Sequence, residues 1–444
     1  MNTPICDFVK EYNEKKTLRL HMPGHKGRAL LGTEGIDITE IDGADVLYSP
    51  TGIIAKSEKN AEELFGSGRT VYSAEGSSLC IRAMLYLASL WGKKNGKDNL
   101  VLAGRNAHRV FHSGAALLGL DVEWLYGESE GFINCNITPE CLEKAISECA
   151  KKPFAVYLTS PDYLGNTLDL KALSDICRKH GVLCLVDNAH GAYLKFLPES
   201  RHPMDVGAHM CADSAHKTLP ALTGAAYLHI SKDAPEMLGA QADGAMSLFA
   251  STSPSYLILQ SLDAVNKYLS DGYAQKLAVF SEKIAETKKR LSERGYMLLG
   301  NEPLKITVKA KEYGYLGAEL AVILEEKGIV CEFCDRDYLV LMLTPEITEE
   351  ELVLLENVLC SIERKEKLAE IPPISEKCER VLPIRDALMS AGREISVDGA
   401  VGCVLANAAI SCPPAIPIAV CGERITESAV KAMKYYGIER VFVL

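Results

Sequence analysis

Four short segments of this sequence carry side chains that could do chemistry together. The first is Glu75-Gly76-Ser77-Ser78, immediately before an apolar helical repeat that starts at Leu79. A glycine there lets the backbone approach a phosphate, while the serine hydroxyls and the N–H groups of a helix start donate to it. A serine-rich helix cap is also common without any ligand. The second segment is Arg105-Asn106-Ala107-His108, whose imidazole could stack on an aromatic ring or be purely structural. The third, Asp187-Asn188-Ala189-His190-Gly191, follows an apolar run ending at Val186. An aspartate at a strand end can hold a heterocyclic nitrogen protonated, although an ordinary strand-ending Asp looks the same. In the fourth, Ser214-Ala215-His216-Lys217-Thr218, the lysine lies among Ala212, Ala215 and Leu219. Its amine could form a Schiff base with a carbonyl compound, or its stem could be buried with the charge reaching water.

Order decides between these readings. A phosphate loop, a stacking His, an Asp and then a Lys, the last three each after its own strand, is what a pyridoxal 5′-phosphate (PLP) site requires, and chance rarely supplies all four. A dinucleotide site is excluded: Gly66-Ser67-Gly68 has Val71 where the third glycine would fall, and no strand precedes it.

The elements that must position these residues are legible as short apolar runs alternating with helical patterns between about 70 and 230. This is the signature of a mostly parallel sheet with helices on both faces. Candidate strands are 100–103, 122–125, 154–158, 182–186, 209–212 and 225–228. Leu79, Ala83, Tyr86, Leu87 and Leu90 recur at helical spacing, as do Leu170, Leu173, Ile176 and Cys177. One or two long helices are expected from Tyr256 to about Arg294, then a small α/β unit over 305–362. In such sheets ligands bind beyond the carboxyl ends of the strands, which is where the last three segments fall.

Composition narrows the classes. With 48 basic against 59 acidic residues the formal charge is -11, which disfavours nucleic acid as a partner. No apolar run approaches the roughly 20 residues of a membrane helix, and the start lacks a secretory pattern, so a cytoplasmic location is expected. The 15 cysteines are then expected to be reduced thiols. Cys331-Glu332-Phe333-Cys334 has the spacing of a redox or zinc motif. Its flanks, 328–330 and 338–343, read as two strands around a turn, and residues three apart on a strand face opposite ways, which suits packing. No second such pair completes a zinc site, and no metal is expected.

With these residues in view, the chain resembles the bacterial ornithine, lysine and arginine decarboxylases of the aspartate-aminotransferase fold. The likeness is carried by His21-Met22-Pro23-Gly24-His25-Lys26-Gly27, Arg105-Asn106-Ala107-His108, Asp187-Asn188-Ala189-His190-Gly191-Ala192 and Ser214-Ala215-His216-Lys217-Thr218-Leu219-Pro220-Ala221-Leu222-Thr223. It continues through Ser251-Thr252-Ser253-Pro254-Ser255-Tyr256, Pro413-Pro414-Ala415-Ile416-Pro417 and Gly422-Glu423.

The resemblance implies an α/β fold of PLP fold type I, with a large seven-stranded-type sheet domain, a small α/β domain and a C-terminal subdomain. The expected boundaries are 1–40 for an N-terminal arm, 41–265 for the PLP-binding domain, 266–370 for the small domain and 371–444 for the last. It implies that Lys217 carries PLP, that Asp187 pairs with the ring nitrogen, that His108 stacks and that His190 lies close to the ring. Gly76, Ser77, Ser78, Ser214 and His216 would hold the phosphate, with Ser251 or Thr252 from a neighbouring subunit of a homodimer or larger assembly. The substrate would be a basic amino acid, arginine or lysine ahead of ornithine, and the chain the short form without an N-terminal wing domain. Departures from the family pattern are Leu79 for a hydroxyl residue, Val110 for Ser, Asn188 for Glu, Tyr193 for His and Ala415 for Gly.

Overall fold

The computed structural model describes residues 1–127, 135–373, 376–411 and 417–444. Seven strands form the main sheet: β1 (Arg69–Ser73), β2 (Leu100–Gly104), β3 (Asp121–Leu125), β4 (Ala155–Thr159), β5 (Leu183–Asp187), β6 (Met210–Asp213) and β7 (Ala226–Ile230). Their order is β1-β7-β6-β5-β4-β2-β3, and β7 runs antiparallel to both its neighbours. The central strands β5 and β6 are buried along their whole length, so their apolar runs are unbroken, as a sheet covered on both faces demands.

Six of these strands coincide with the expected runs to within two residues. The seventh, β1, was not foreseen, because Thr70 and Ser73 interrupt its hydropathy. Both are fully buried, and the Thr70 hydroxyl is satisfied by His229 Nδ1 at 2.8 Å. Helix Ser77–Lys94 buries most of its circumference, including Leu79, Ala83, Met84 and Leu87. The expected long helix is two, Tyr256–Tyr268 and Ala274–Glu293, broken where Gly272 takes φ 86°.

The chain divides into two packing units. The first comprises Met1–Asp98, Phe154–Val156 and Leu170–Gln275, and the second Asn99–Pro153, Tyr157–Asp169 and Lys276–Leu444. Within the second, β8 (Leu298–Leu299), β9 (Lys305–Lys309), β10 (Phe333–Cys334) and β11 (Tyr338–Met342) form an antiparallel sheet in the order β10-β11-β9-β8. The expected strand over 328–330 is thus corrected: pairing begins only at Phe333, because Gly328, at φ 77°, turns the chain and the ladder follows that turn. The C-terminal segment packs Val397, Leu405, Ile418, Ile425, Met433 and Val441 into a small core of its own.

Two buried histidines give the fold a pH dependence. Burial, then the charge of Arg178, pushes His209 down to about 4, while its Nδ1 accepts the Cys184 N–H at 2.9 Å. Burial, then Arg105, pushes His112 down to about 3. Both folded values lie below the ordinary 6.5, so from about pH 6.5 down to those values the unfolded chain binds protons that the folded one refuses. Stability is therefore complete above that range and lost as the pH falls, by up to roughly 1.4 kcal/mol per pH unit for each histidine. Urea unfolding at pH 7 and pH 5 should show this loss, and His209→Asn should reduce it; a profile flat over that interval would contradict it.

Candidate active site

Three of the four segments lie in the first unit. Gly76 caps the Ser77–Lys94 helix with φ 72° and ψ 178°, a conformation a β-carbon resists. A Cβ there would project into open space, its nearest neighbour being Ser78 N at 4.0 Å. The turn is held from both sides: Gly76 N–H donates to the Gly224 carbonyl at 2.7 Å, and the Ser73 hydroxyl donates to the Gly76 carbonyl at 2.9 Å. The helix has no side-chain cap and no acidic residue in its first turn, so nothing within that turn answers its positive end. The Ser214 hydroxyl donates to that of Ser77 at 2.7 Å, bringing the first and fourth segments together.

Ser214 is buried and opens the short helix Ala215–Thr218, which turns Lys217 back toward the end of β5. Lys217 Nζ lies 3.1 Å from His190 Nε2. His216 donates from Nδ1 to the Ala225 carbonyl at 2.9 Å, so Nε2 becomes a donor only when the ring is protonated. Asp187 is the last residue of β5 and 3% exposed; one of its oxygens accepts the Ala189 N–H at 3.2 Å.

Beneath these groups lies a network that inspection of the sequence missed. Asn188 donates through its side chain to Asp213 Oδ1 at 2.8 Å, and its own N–H donates to the Ala212 carbonyl. The other Asp213 oxygen is 2.8 Å from His202 Nε2 and 3.5 Å from His229 Nε2. All four side chains are fully buried. Burial alone would raise the Asp213 carboxyl, but His202 and His229 hold it well below the usual range. Positions 188, 202, 213 and 229 show no common spacing, which is why no motif revealed them.

His108 belongs to the second unit, where it is exposed and caps the helix Arg109–Leu118, its Nδ1 accepting the Val110 N–H at 3.3 Å. In that unit Arg105 makes a buried two-point ion pair with Glu423, at 2.6 and 2.8 Å, and fixes the loop that carries Asn106. Asn106 lines a cavity of about 260 Å³ together with Thr159, Asp162, Asn166 and Asn301. Ser251 and Thr252, in the first unit, are exposed, and Ser251 N–H donates to Glu75 Oε1 at 2.7 Å. Of the departures from the family pattern, Leu79, Val110 and Tyr193 are buried, and Asn188 is the donor to Asp213. Ala415 and residues 412–416 as a whole lie outside the described residues.

The arrangement has the fold of a solved lysine decarboxylase from Francisella novicida, with a TM-score of 0.80 over 100% of this chain and 81% of that one at 16% identity. The class is thus PLP fold type I. Residues 3–299 match the family model described as Orn/Lys/Arg decarboxylase, major domain, and the chain belongs to that family and is a decarboxylase. Arginine decarboxylases of Halalkalibacterium halodurans and Bacillus subtilis are each 28% identical over 96% of this chain and 91% of their own length.

The Asn188–Asp213 pair yields a prediction. Asn188→Ala leaves a buried carboxylate short of one donor, at about 1.5–3 kcal/mol. Asn188→Asp places a second carboxylate against it, which should cost more still at pH 7. The gap between the two variants should close below about pH 5, where one carboxyl of the pair takes up a proton and becomes a donor. Denaturant unfolding of both variants would refute this if Asn188→Asp proved no less stable than Asn188→Ala at neutral pH.

Proposed function

We propose that the chain decarboxylates a basic amino acid, arginine or lysine ahead of ornithine, with PLP held at Lys217. The observation that carries this reading is one cluster in which Lys217 meets His190, Ser214 meets Ser77 at an uncapped helix start, and Asp187 ends the neighbouring strand. The residues present fit the group. The space before Gly76 suits a phosphate, the Ser77, Ser78 and Ser214 hydroxyls and the helix N–H groups supply donors, and Lys217 supplies an amine. The relatives named arginine decarboxylase support arginine; the solved lysine decarboxylase keeps lysine in view.

When bound, PLP supplies an electron sink for the pair left behind as carbon dioxide departs. Asp187 would keep the ring nitrogen protonated by charge pairing. His190 Nε2, 3.1 Å from Lys217 Nζ, would exchange a proton with that amine as Lys217 leaves and rejoins the cofactor. His108 would pack on the ring, and His216 in its protonated form would add a donor to the phosphate.

The same reading makes the protein a cytoplasmic homodimer or larger assembly, in which Ser251 or Thr252 of a second copy reaches the phosphate. Among the described residues no helix is long and apolar enough to cross a membrane. Leu18, Leu20, Leu30 and Leu31 of the N-terminal arm are each 79–89% exposed, and a second copy would cover them.

Carbon dioxide release by the purified protein, measured against arginine, lysine and ornithine, tests the proposal. Carbon dioxide and the matching amine are expected with arginine or lysine; a keto acid in their place would overturn it. In the same assay Asp187→Asn should keep its PLP yet turn over on the order of 100-fold more slowly, and near-normal turnover would remove Asp187 from the ring.

A further inference from the structure

Arg82 has no role in the site as described so far, and no described residue pairs with its charge. It stands in the second turn of the Ser77–Lys94 helix and is half-buried. Its Nε is shut off from solvent without a hydrogen-bond partner, and among the described residues the guanidinium makes no ion pair. A buried donor left this way is costly until a further acceptor arrives.

The helix sets this cation on a defined face. Residues four apart lie one above the other, so Ser78, Arg82 and Tyr86 share a stripe; all three are half-buried, while Leu79, Ala83 and Leu87 beside them are buried. At the far end of the stripe the Tyr86 ring meets that of Phe249 edge-on, with centroids 6.1 Å apart. Two residues beyond Phe249, the Ser251 N–H donates to Glu75 Oε1 at 2.7 Å, just before Gly76. The face that carries Arg82 thus runs from the candidate phosphate loop to the segment Phe249–Ser251. Side chains on a helix lean toward its start, so the stem of Arg82 leaves the helix in the direction of Ser78.

We propose that Arg82 binds the phosphate group of PLP and supplies the positive charge that the loop otherwise lacks; this rests on the reading that the phosphate lies at Gly76, Ser77 and Ser78. A phosphate monoester carries about 1.5 to 2 negative charges near pH 7. Apart from a protonated His216, the donors assigned to it, the Ser77, Ser78 and Ser214 hydroxyls and the helix N–H groups, are neutral. Glu75 beside the loop is exposed and adds a further negative charge, and its Oε1 is engaged by Ser251. A guanidinium offsets both, and its planar fork of N–H donors matches two phosphate oxygens at once.

Titration of the purified protein with PLP and, separately, with pyridoxal, which has the same aldehyde but no phosphate, tests this through the visible absorbance of the lysine adduct. The unaltered protein should bind PLP far more tightly than pyridoxal. Arg82→Gln should weaken PLP binding on the order of 10- to 100-fold and leave pyridoxal binding unchanged. Arg82→Lys should recover part of the loss, since an ammonium keeps the charge without the two-point fit. An equal loss for both compounds would mean that Arg82 only supports the fold, and would overturn the proposal. Unchanged PLP affinity would overturn it as well, and loss of a dimer on gel filtration in that case would assign the charge to a second copy. Equal affinity of the unaltered protein for the two compounds would instead remove the phosphate site on which the proposal rests.

Discussion

The hydrogen bond from Asn188 to the buried carboxylate of Asp213 is the constraint on which the site depends. Asn188 follows Asp187 and Asp213 precedes Ser214, so one side-chain contact joins the ends of β5 and β6 just where the candidate ring partner and the lysine-bearing turn emerge. A charge in that position is tolerable because every side of it is answered. His202 and His229 approach one oxygen and Asn188 donates to the other. A buried carboxylate short of a partner would take up a proton or draw water inward, and either would loosen the spacing between the two strand ends.

That constraint also gives physical sense to one departure from the family pattern. A glutamate at 188 would bring a second carboxylate toward Asp213 in a fully buried place, whereas an amide presents a donor. Leu79 and Val110, where the family pattern has hydroxyl residues, are both buried, which would leave the candidate phosphate loop to Ser77, Ser78 and the glycine that starts its helix.

Much of this was legible in the sequence, for identifiable reasons. Strands covered on both faces are apolar without interruption, so β5 and β6 stood out, and motifs placed just after them fell where an open α/β sheet gathers its ligands. Strand β1 did not stand out, since Thr70 and Ser73 are polar residues buried by virtue of hydrogen bonds that only the fold creates. The Asp213 network was hidden because its members come from four separate places in the chain. The bounds of β10 differed as well: a strand was expected just before Cys331, while the ladder starts at Phe333.

The central claim, that Lys217 is the residue to which the cofactor attaches, can be tested by a single measurement. Protein incubated with PLP and reduced with borohydride should carry the pyridoxyl group on the peptide containing Lys217. Recovery of the label on another lysine, or no bound PLP after incubation with excess cofactor, would contradict the account.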